Sequence, residues 1–450
     1  MTVEKLKSFV DKYRTTILDA FSYFWKNPET GYREYKTTAY LEQAFEKLGY
    51  VLTRAGNIPG FYTDVDTGRP GPTIAVMGEL DGLLCPTHPE ADPATGAVHS
   101  CGHGAQIAAL LGVAAALKEP GALDAMSGKI RLMAVPAEEL IETEFRKKLK
   151  AQGIIRYFGG KVEFLHRGYF DGVDIAFMIH TATRPHDRSG YIVGGSNGCI
   201  VKEMEFQGVT AHAGGAPHQG VNALYAANLA MNAVNALRET FMDADHIRFH
   251  PILTAGGDSV NAIPDKVRME SYVRGATMDA IVQANQKVNR AIAASAAAIG
   301  ANVVIRDVPG YYPRRNCQGL IPVMCQAMEQ VLDKVVCEPE KIGSGCSDVG
   351  DLSSLMPMIH PYVSGASGRS HGSDFYITDP ETACVSSAKV QLVFLKLLLE
   401  NGAQKAKEVI AEFTPIYANK EEYFRLMDEL CIDRQAVSYE EDGKVILHLA

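Results

Sequence analysis

The sequence predicts an α/β protein in which a helix-covered, mostly parallel sheet is interrupted by an inserted ferredoxin-like α+β domain. Three observations carry this. Apolar strand-like runs alternate with helical periodicity through the first half of the chain. The order β-α-β-β-α-β then fills residues 199–308. Finally, 450 residues with 46% hydrophobic content exceed one ordinary domain and can bury a large core.

The elements follow in order. Lys5–Lys26 and Thr37–Leu48 have helical periodicity, and Thr73–Met77 and Lys129–Val135 are apolar enough to be buried strands. Between them Ala105–Leu117 reads as a buried helix, and Val173–His180 is a further strand ending on a histidine. The stretch 144–170, rich in Lys, Arg and aromatics, reads as a surface elaboration. A composition shift over Arg184–Gly198 marks a linker. Beyond it come a strand from Cys199 to Phe206, a helix Val221–Glu239 and strands Ile247–Ala255 and Lys266–Arg274. A helix Met278–Ile299 and a strand Asn302–Val308 complete the insert. The boundaries predicted are therefore 1–190 and 310–450 for one discontinuous domain and 191–309 for the insert. The tail beyond Asn401 is an appendage, with a hairpin turn at Glu440-Glu-Asp-Gly443.

Composition narrows the function. A net charge of −9 leaves no basic footprint, so neither nucleic acid nor an anionic membrane is an expected partner. The N-terminus opens a charged amphipathic helix rather than an apolar signal core, and no apolar run is read as reaching transmembrane length. Nine scattered cysteines without framework spacing fit free thiols in a reducing cytoplasm.

The chemistry concentrates in His99-Ser-Cys-Gly-His103 and Pro136-Ala-Glu-Glu139. A thiolate, imidazoles and adjacent carboxylates suit one or two divalent cations with a base alongside. A helix starting beside Cys101 would favour its thiolate. Glu138 and Glu139 follow a strand, where neighbouring side chains diverge, so one can coordinate metal while the other takes a proton. The candidate ligands are Cys101, His103, Glu139, His180 at its strand end and His371 in the polar loop Gly368–Phe375. Mixed sulfur, nitrogen and oxygen ligation ranks zinc first, then manganese or cobalt. Two competing signals fail. Gly194-Gly-Ser-Asn-Gly198 fits G-x-S-x-G, but a strand follows where that motif needs a helix. Cys101 and His103 lie too close in sequence for an aligned nucleophile and base, which favours shared coordination.

Glu79-Leu-Asp-Gly82, His99–His103, Pro136–Glu139, Ala211-His-Ala213 with Ala216-Pro-His218, and Asn261-Ala-Ile-Pro-Asp265 occur in one order. This set resembles the metallopeptidase family of aminoacylases and glutamate-releasing carboxypeptidases. Within that family it is most similar to the amidohydrolase branch of hippurate, indole-acetyl-amino-acid and aminobenzoyl-glutamate hydrolases. The resemblance implies a lid and dimerisation role for the insert, a homodimer or higher oligomer, and hydrolysis of small N-acyl amino acids or dipeptide-like substrates bearing a free carboxylate. It implies that Cys101 bridges two metals, that Glu138 is the base and that Asp81 orients a ligand imidazole. His212 would reach a partner subunit's oxyanion, while Asn261 and Arg274 hold the substrate's carbonyl and carboxylate. The chain departs from the family at Gly104, where an acidic or amide residue is usual. The alternatives are hydrolysis of another C–N bond, of aromatic amine or amidine type, by the same activated water, or a non-catalytic metal-bearing binding protein.

Overall fold

The structure, a computed structural model, describes residues 1–184 and 187–449. Residues 185 and 186, within the expected linker, lie outside the described residues. The chain divides into two compact units, 1–195 with 315–341 and 347–420, and 196–314 with 342–346 and 421–450.

The first unit is built on strands β1 (Phe61–Asp66), β2 (Thr73–Glu79), β3 (Lys129–Val135) and β4 (Ile175–Phe177). Short strands Thr53–Arg54 and Met358–Ile359 close the edges, giving the order Thr53–Arg54, β1, β3, β2, β4, Met358–Ile359. β3, β2, β4 and Met358–Ile359 run parallel, whereas β1 is antiparallel to β3. β2 and β3 read as unbroken apolar runs because parallel strands are covered on both faces. Helix α1 (His103–Leu117) connects them, and all fifteen of its residues are buried. A helix apolar all round belongs inside a layer of other helices. Here those are Arg14–Lys26, the Glu381–Ser386 turn and Ser387–Glu412.

This order positions the site. From β2 the chain crosses to β3 on one side, and from β3 it returns to β4 on the other. The crevice beyond the carboxyl ends of β2, β3 and β4 is therefore a topological switch point, where open α/β sheets bind ligands.

Three expectations for the first unit need correction. The stretch 144–170 is only in part a surface elaboration: helix Thr143–Ala151 buries Arg146 alone, but helix Gly160–His166 is buried from Gly160 to Leu165, and Arg146 and Lys161 are 1% and 0% exposed. Local composition was misleading because these cations are paired inside rather than solvated. The strand expected over 173–180 stops at Phe177, and His180 begins a separate two-residue strand paired with Tyr362–Val363. Finally, Glu381–Glu412 is long and apolar enough to cross a membrane. Its most apolar window is 89% buried within the protein, and helical geometry breaks between Glu400 and Ala403, so it serves as a core helix.

The second unit contains β5 (Gly198–Gln207), α2 (Ala223–Ala236), β6 (Lys266–Gly275), α3 (Met278–Ala298) and β7 (Asn302–Tyr311). With Arg248–Phe249 the sheet order is Arg248–Phe249, β6, β5, β7, all antiparallel, which is the ferredoxin-like arrangement. Burial alternates along β6, leaving one face for the two helices. The tail, expected with the first unit, lies with this one from Glu421 onward among the described residues. Ile252–Ala255 also pairs with β6, and Ile432–Gln435 adds a sixth strand against β7, satisfying edge groups that would otherwise stay unpaired. The hairpin forms between Val437–Tyr439 and Val445–Leu447, with Gly443 at φ +83° in its turn.

Candidate metal centre

Four segments meet at the switch point. β2 delivers Glu79 and, just beyond its end, Asp81. The turn before α1 delivers Cys101, and α1 opens on His103. Glu138 and Glu139 follow β3, and His180 follows β4. His371 comes from a loop whose backbone is anchored when His371 N donates to Ser100 O at 2.9 Å. Two turns hold left-handed backbone without glycine: Ala137 at φ +55° and His371 at φ +64°. Such conformations persist only where surrounding contacts over-determine them. At Ala137 the buried Glu34 contributes one, its Oε1 accepting from Ala137 N at 2.7 Å.

Cys101 is the hub. The atoms of Cys101, His103 and His180 form one group with mutual distances within 4.8 Å, and Cys101, Glu139 and His371 form a second. The sulfur lies 3.4 Å from His180 Nε2. His371 Nε2 lies 3.2 Å from Glu139 Oε1. Burial alone would raise the Cys101 thiol, but the imidazoles of His103 and His180 outweigh it and hold the group well below its usual range as a thiolate. Hydrogen bonds to Cys101 and Glu139 push the half-exposed His371 up to about 11.

The outer contacts orient these groups. His103 Nδ1 lies 2.8 Å from the Asp81 carbonyl oxygen and 3.2 Å from its Oδ1, which turns Nε2 toward the cluster. Asp81 Oδ2 also accepts from Glu139 N at 2.8 Å. His180 Nδ1 faces the Thr181 carbonyl at 3.0 Å, leaving Nε2 toward the sulfur. Arg146 donates to the Glu139 carbonyl and, at 2.7 Å, to Phe158 O, tying the base of the cluster to the segment that leads into helix Gly160–His166.

A cation fits these residues. His103 Nε2 and Glu139 Oε1 are buried without a well-formed hydrogen bond although they face the cluster at ion-pair distances. Orphaned polar atoms of this kind are costly unless something completes them. The donor set of one sulfur, imidazoles and a carboxylate suits a borderline divalent metal, and the sulfur is common to both groups.

Glu138 belongs to a third group with Glu79 and His103, lying 3.9 Å from His103 Nε2. Burial, then the neighbouring Glu79 and Glu139, raises its carboxyl well above the usual range. A carboxylate with enhanced proton affinity, 7% exposed, suits proton transfer.

Reading the sequence missed Lys161, Asp348 and Gln106. Lys161 Nζ lies 2.5 Å from both Glu79 Oε1 and Asp348 Oδ1, and Gln106 Nε2 donates to Glu79 Oε2 at 2.8 Å. The one available signal was the pair Lys161 and Glu163 set within the otherwise apolar run Phe158–Leu165.

The remaining candidates lie in the second unit. His212 is exposed, and Gly214 N and Gly215 N donate to its Nδ1 at 3.2 and 3.0 Å, which leaves Nε2 as its hydrogen-bond donor. Asn261 is exposed, and its carbonyl accepts from Ala213 N at 2.9 Å. Arg274 is partly buried on β6, donating to Cys346 Sγ at 3.5 Å, with its Nε buried and unpartnered. Gly194–Gly198 runs from strand Ser189–Ser196 directly into β5, so no nucleophile elbow exists there.

Residues 194–299 match the M20 peptidase dimerisation domain. The chain is 27% identical to the Xaa-Arg dipeptidase of Mus musculus over 83% of this chain and 80% of that protein. It is 30% identical to the indole-3-acetyl-aspartic acid hydrolase of Enterobacter agglomerans over 56% of this chain and 55% of that protein. A solved Bacillus subtilis dinuclear metal binding peptidase of the M20 family shares the fold, with a TM-score of 0.65 and 19% identity over 86% of this chain and 99% of that one.

Proposed function

We propose that this chain, a homologue of the M20 peptidases carrying their dimerisation domain, is a metal-dependent amidohydrolase. It cleaves the amide bond of small N-acyl amino acids or dipeptides that bear a free carboxylate. The observation that carries the reading is the thiolate of Cys101 shared between two ligand groups, with Glu138 beside them.

His103 and His180 would hold one cation with Cys101, and Glu139 and His371 the other. Zinc ranks first for this donor set, ahead of manganese and cobalt. Bound there, the cations would supply Lewis acidity toward a carbonyl and lower the pKa of a water. Glu138 accepts the proton of the attacking water and passes it to the departing amine, a shuttle its raised proton affinity favours. Asp81 and Thr181 hold the two imidazoles in the orientation that ligation requires.

From the resemblance we assign His212 to the developing oxyanion, Asn261 to the substrate carbonyl and Arg274 to the substrate carboxylate. The Nε2 donor of His212 and the buried, unpartnered Nε of Arg274 support these roles. We read the active form as a homodimer: α2 buries Ala223, Ala226, Ala227, Ala230 and Val234 but leaves Tyr225 and Leu229 exposed. We place the protein in the cytoplasm on its nine free thiols.

The test is metal analysis of the purified protein together with a panel of N-acyl amino acids and dipeptides, read by released amine. Bound metal with carboxylate-dependent amine release is expected. Ammonia from an aromatic amine or amidine would assign another C–N bond. Bound metal without hydrolysis of any panel member would indicate a binding protein.

A further inference from the structure

The switch point holds more carboxylate than two cations need. Glu79, Asp81, Glu138, Glu139 and Asp348 are all buried, and Glu79, His103 and Glu138 form a complete third trio of ligand atoms. That trio shares His103 with the Cys101 set. A cation drawn to it would strip His103 from Cys101 and occupy Glu138, the group that must move protons.

We propose that Lys161 is a positioning residue that denies Glu79 to metal, so that cations collect on Cys101 and Glu138 stays available for proton transfer. The inference rests on the dinuclear reading above. Both oxygens of Glu79 are already engaged, Oε1 by Lys161 Nζ at 2.5 Å and Oε2 by Gln106 Nε2 at 2.8 Å. Oε2 also lies 3.1 Å from His103 Nε2, so the clamp fixes one of the walls against which that imidazole is set. Lys161 itself has no freedom. Its Nζ is shared with Asp348 Oδ1 at 2.5 Å, and its backbone N donates to Asp348 Oδ2 at 2.8 Å, so one carboxylate holds both ends of the residue.

The backbone is built for this placement. Gly160 N donates to Ala137 O at 3.1 Å, and a Cβ on Gly160 would stand 1.6 Å from Pro136 O. The helix bearing Lys161 thus lies directly on the peptide that leads into Glu138. The ammonium feels Glu138 as well as Asp348 and Glu79, and together they keep it charged despite complete burial. A fixed positive charge against Glu79 also repels any cation approaching the third trio. Glu79, Lys161 and Asp348 therefore form a filled bracket, where Cys101, Glu139 and the histidines form an open one.

The experiment compares apo protein, Lys161→Met, Glu79→Gln and Lys161→Met/Glu79→Gln by zinc titration with equilibrium dialysis, with kcat and KM on the best substrate of the panel. Wild type taking up two equivalents is the starting point; fewer would sink the dinuclear reading itself and this inference with it. Lys161→Met is expected to gain a further equivalent and to lose about 100-fold in kcat with KM little changed. Removing the released carboxylate in the double variant should return the count to two and recover part of kcat. Loss of packing alone would give no such rescue. A Lys161→Met protein holding two equivalents at wild-type kcat overturns the proposal. Should Lys161→Met not fold, Glu79→Gln decides: two equivalents support the proposal, and one equivalent identifies Glu79 as a ligand and overturns it.

Discussion

Replacing Cys101 with alanine removes one atom from both ligand groups at once, and its effect follows from the geometry. The sulfur belongs to the set with His103 and His180 and to the set with Glu139 and His371, so each set falls from three protein ligands to two. Four-ligand zinc sites bind with about 10–16 kcal/mol, or about 3 kcal/mol per ligand, and that loss is about two decades in affinity. Cys101→Ala should therefore weaken both equivalents about 100-fold, whereas His180→Ala should weaken one and spare the other. Zinc titration monitored with a competing chelator separates the two patterns. The protein should remain folded, because Cys101 packs only in a small satellite cluster with Leu83, Cys85 and Val98. Retention of two equivalents at wild-type affinity by Cys101→Ala would refute the shared sulfur and the centre built on it.

Other expectations follow from the same geometry. Glu138→Gln keeps the shape of the side chain and should retain metal while kcat falls by about 10²–10⁴, measured by amine release. Gly160→Ala drives a methyl onto the backbone oxygen of Pro136, which cannot swing aside, and should destabilise by about 3 kcal/mol in urea unfolding. His99 is 1% exposed with neither ring nitrogen hydrogen-bonded, and burial followed by repulsion from His103 lowers it to about 4 from 6.5. Its folded state resists a proton that the unfolded chain accepts. Stability should therefore be full above pH 6.5 and fall by about 3 kcal/mol as pH drops toward 4. His99→Phe should flatten that limb in denaturant titrations at several pH values.

How much of this was legible beforehand differs by element. β3 was read with its observed limits, and α1 and β2 within two residues of theirs, because a buried parallel strand and an all-apolar helix announce themselves by composition. The insert was legible from its β-α-β-β-α-β order. Cys101, His103, Glu138 and Glu139 stood out because they are neighbours in sequence. Lys161 and Asp348 did not, since 187 residues separate the partners and each alone looks like an ordinary surface charge. The tail failed for the same reason: Ile432–Gln435 carries no local sign of the strand it joins. His180 lies beside Cys101 although the strand expected to carry it stops at Phe177, because what matters is the position beyond β4 rather than the ladder that holds it.

The separation between Lys161 and Asp348 also bears on biosynthesis. A ribosome adds about 5–20 residues per second, so roughly 10–40 s pass between the emergence of the ammonium and that of its counterion. His371 arrives later still. Throughout that interval a nascent chain already displays Cys101, His103, Glu79 and Glu138, yet lacks the anchor that keeps the lysine on Glu79. On the proposed role of Lys161, a cation bound before Asp348 emerges would meet Glu79 unclamped, so selective loading would await the completed lysine–carboxylate pair.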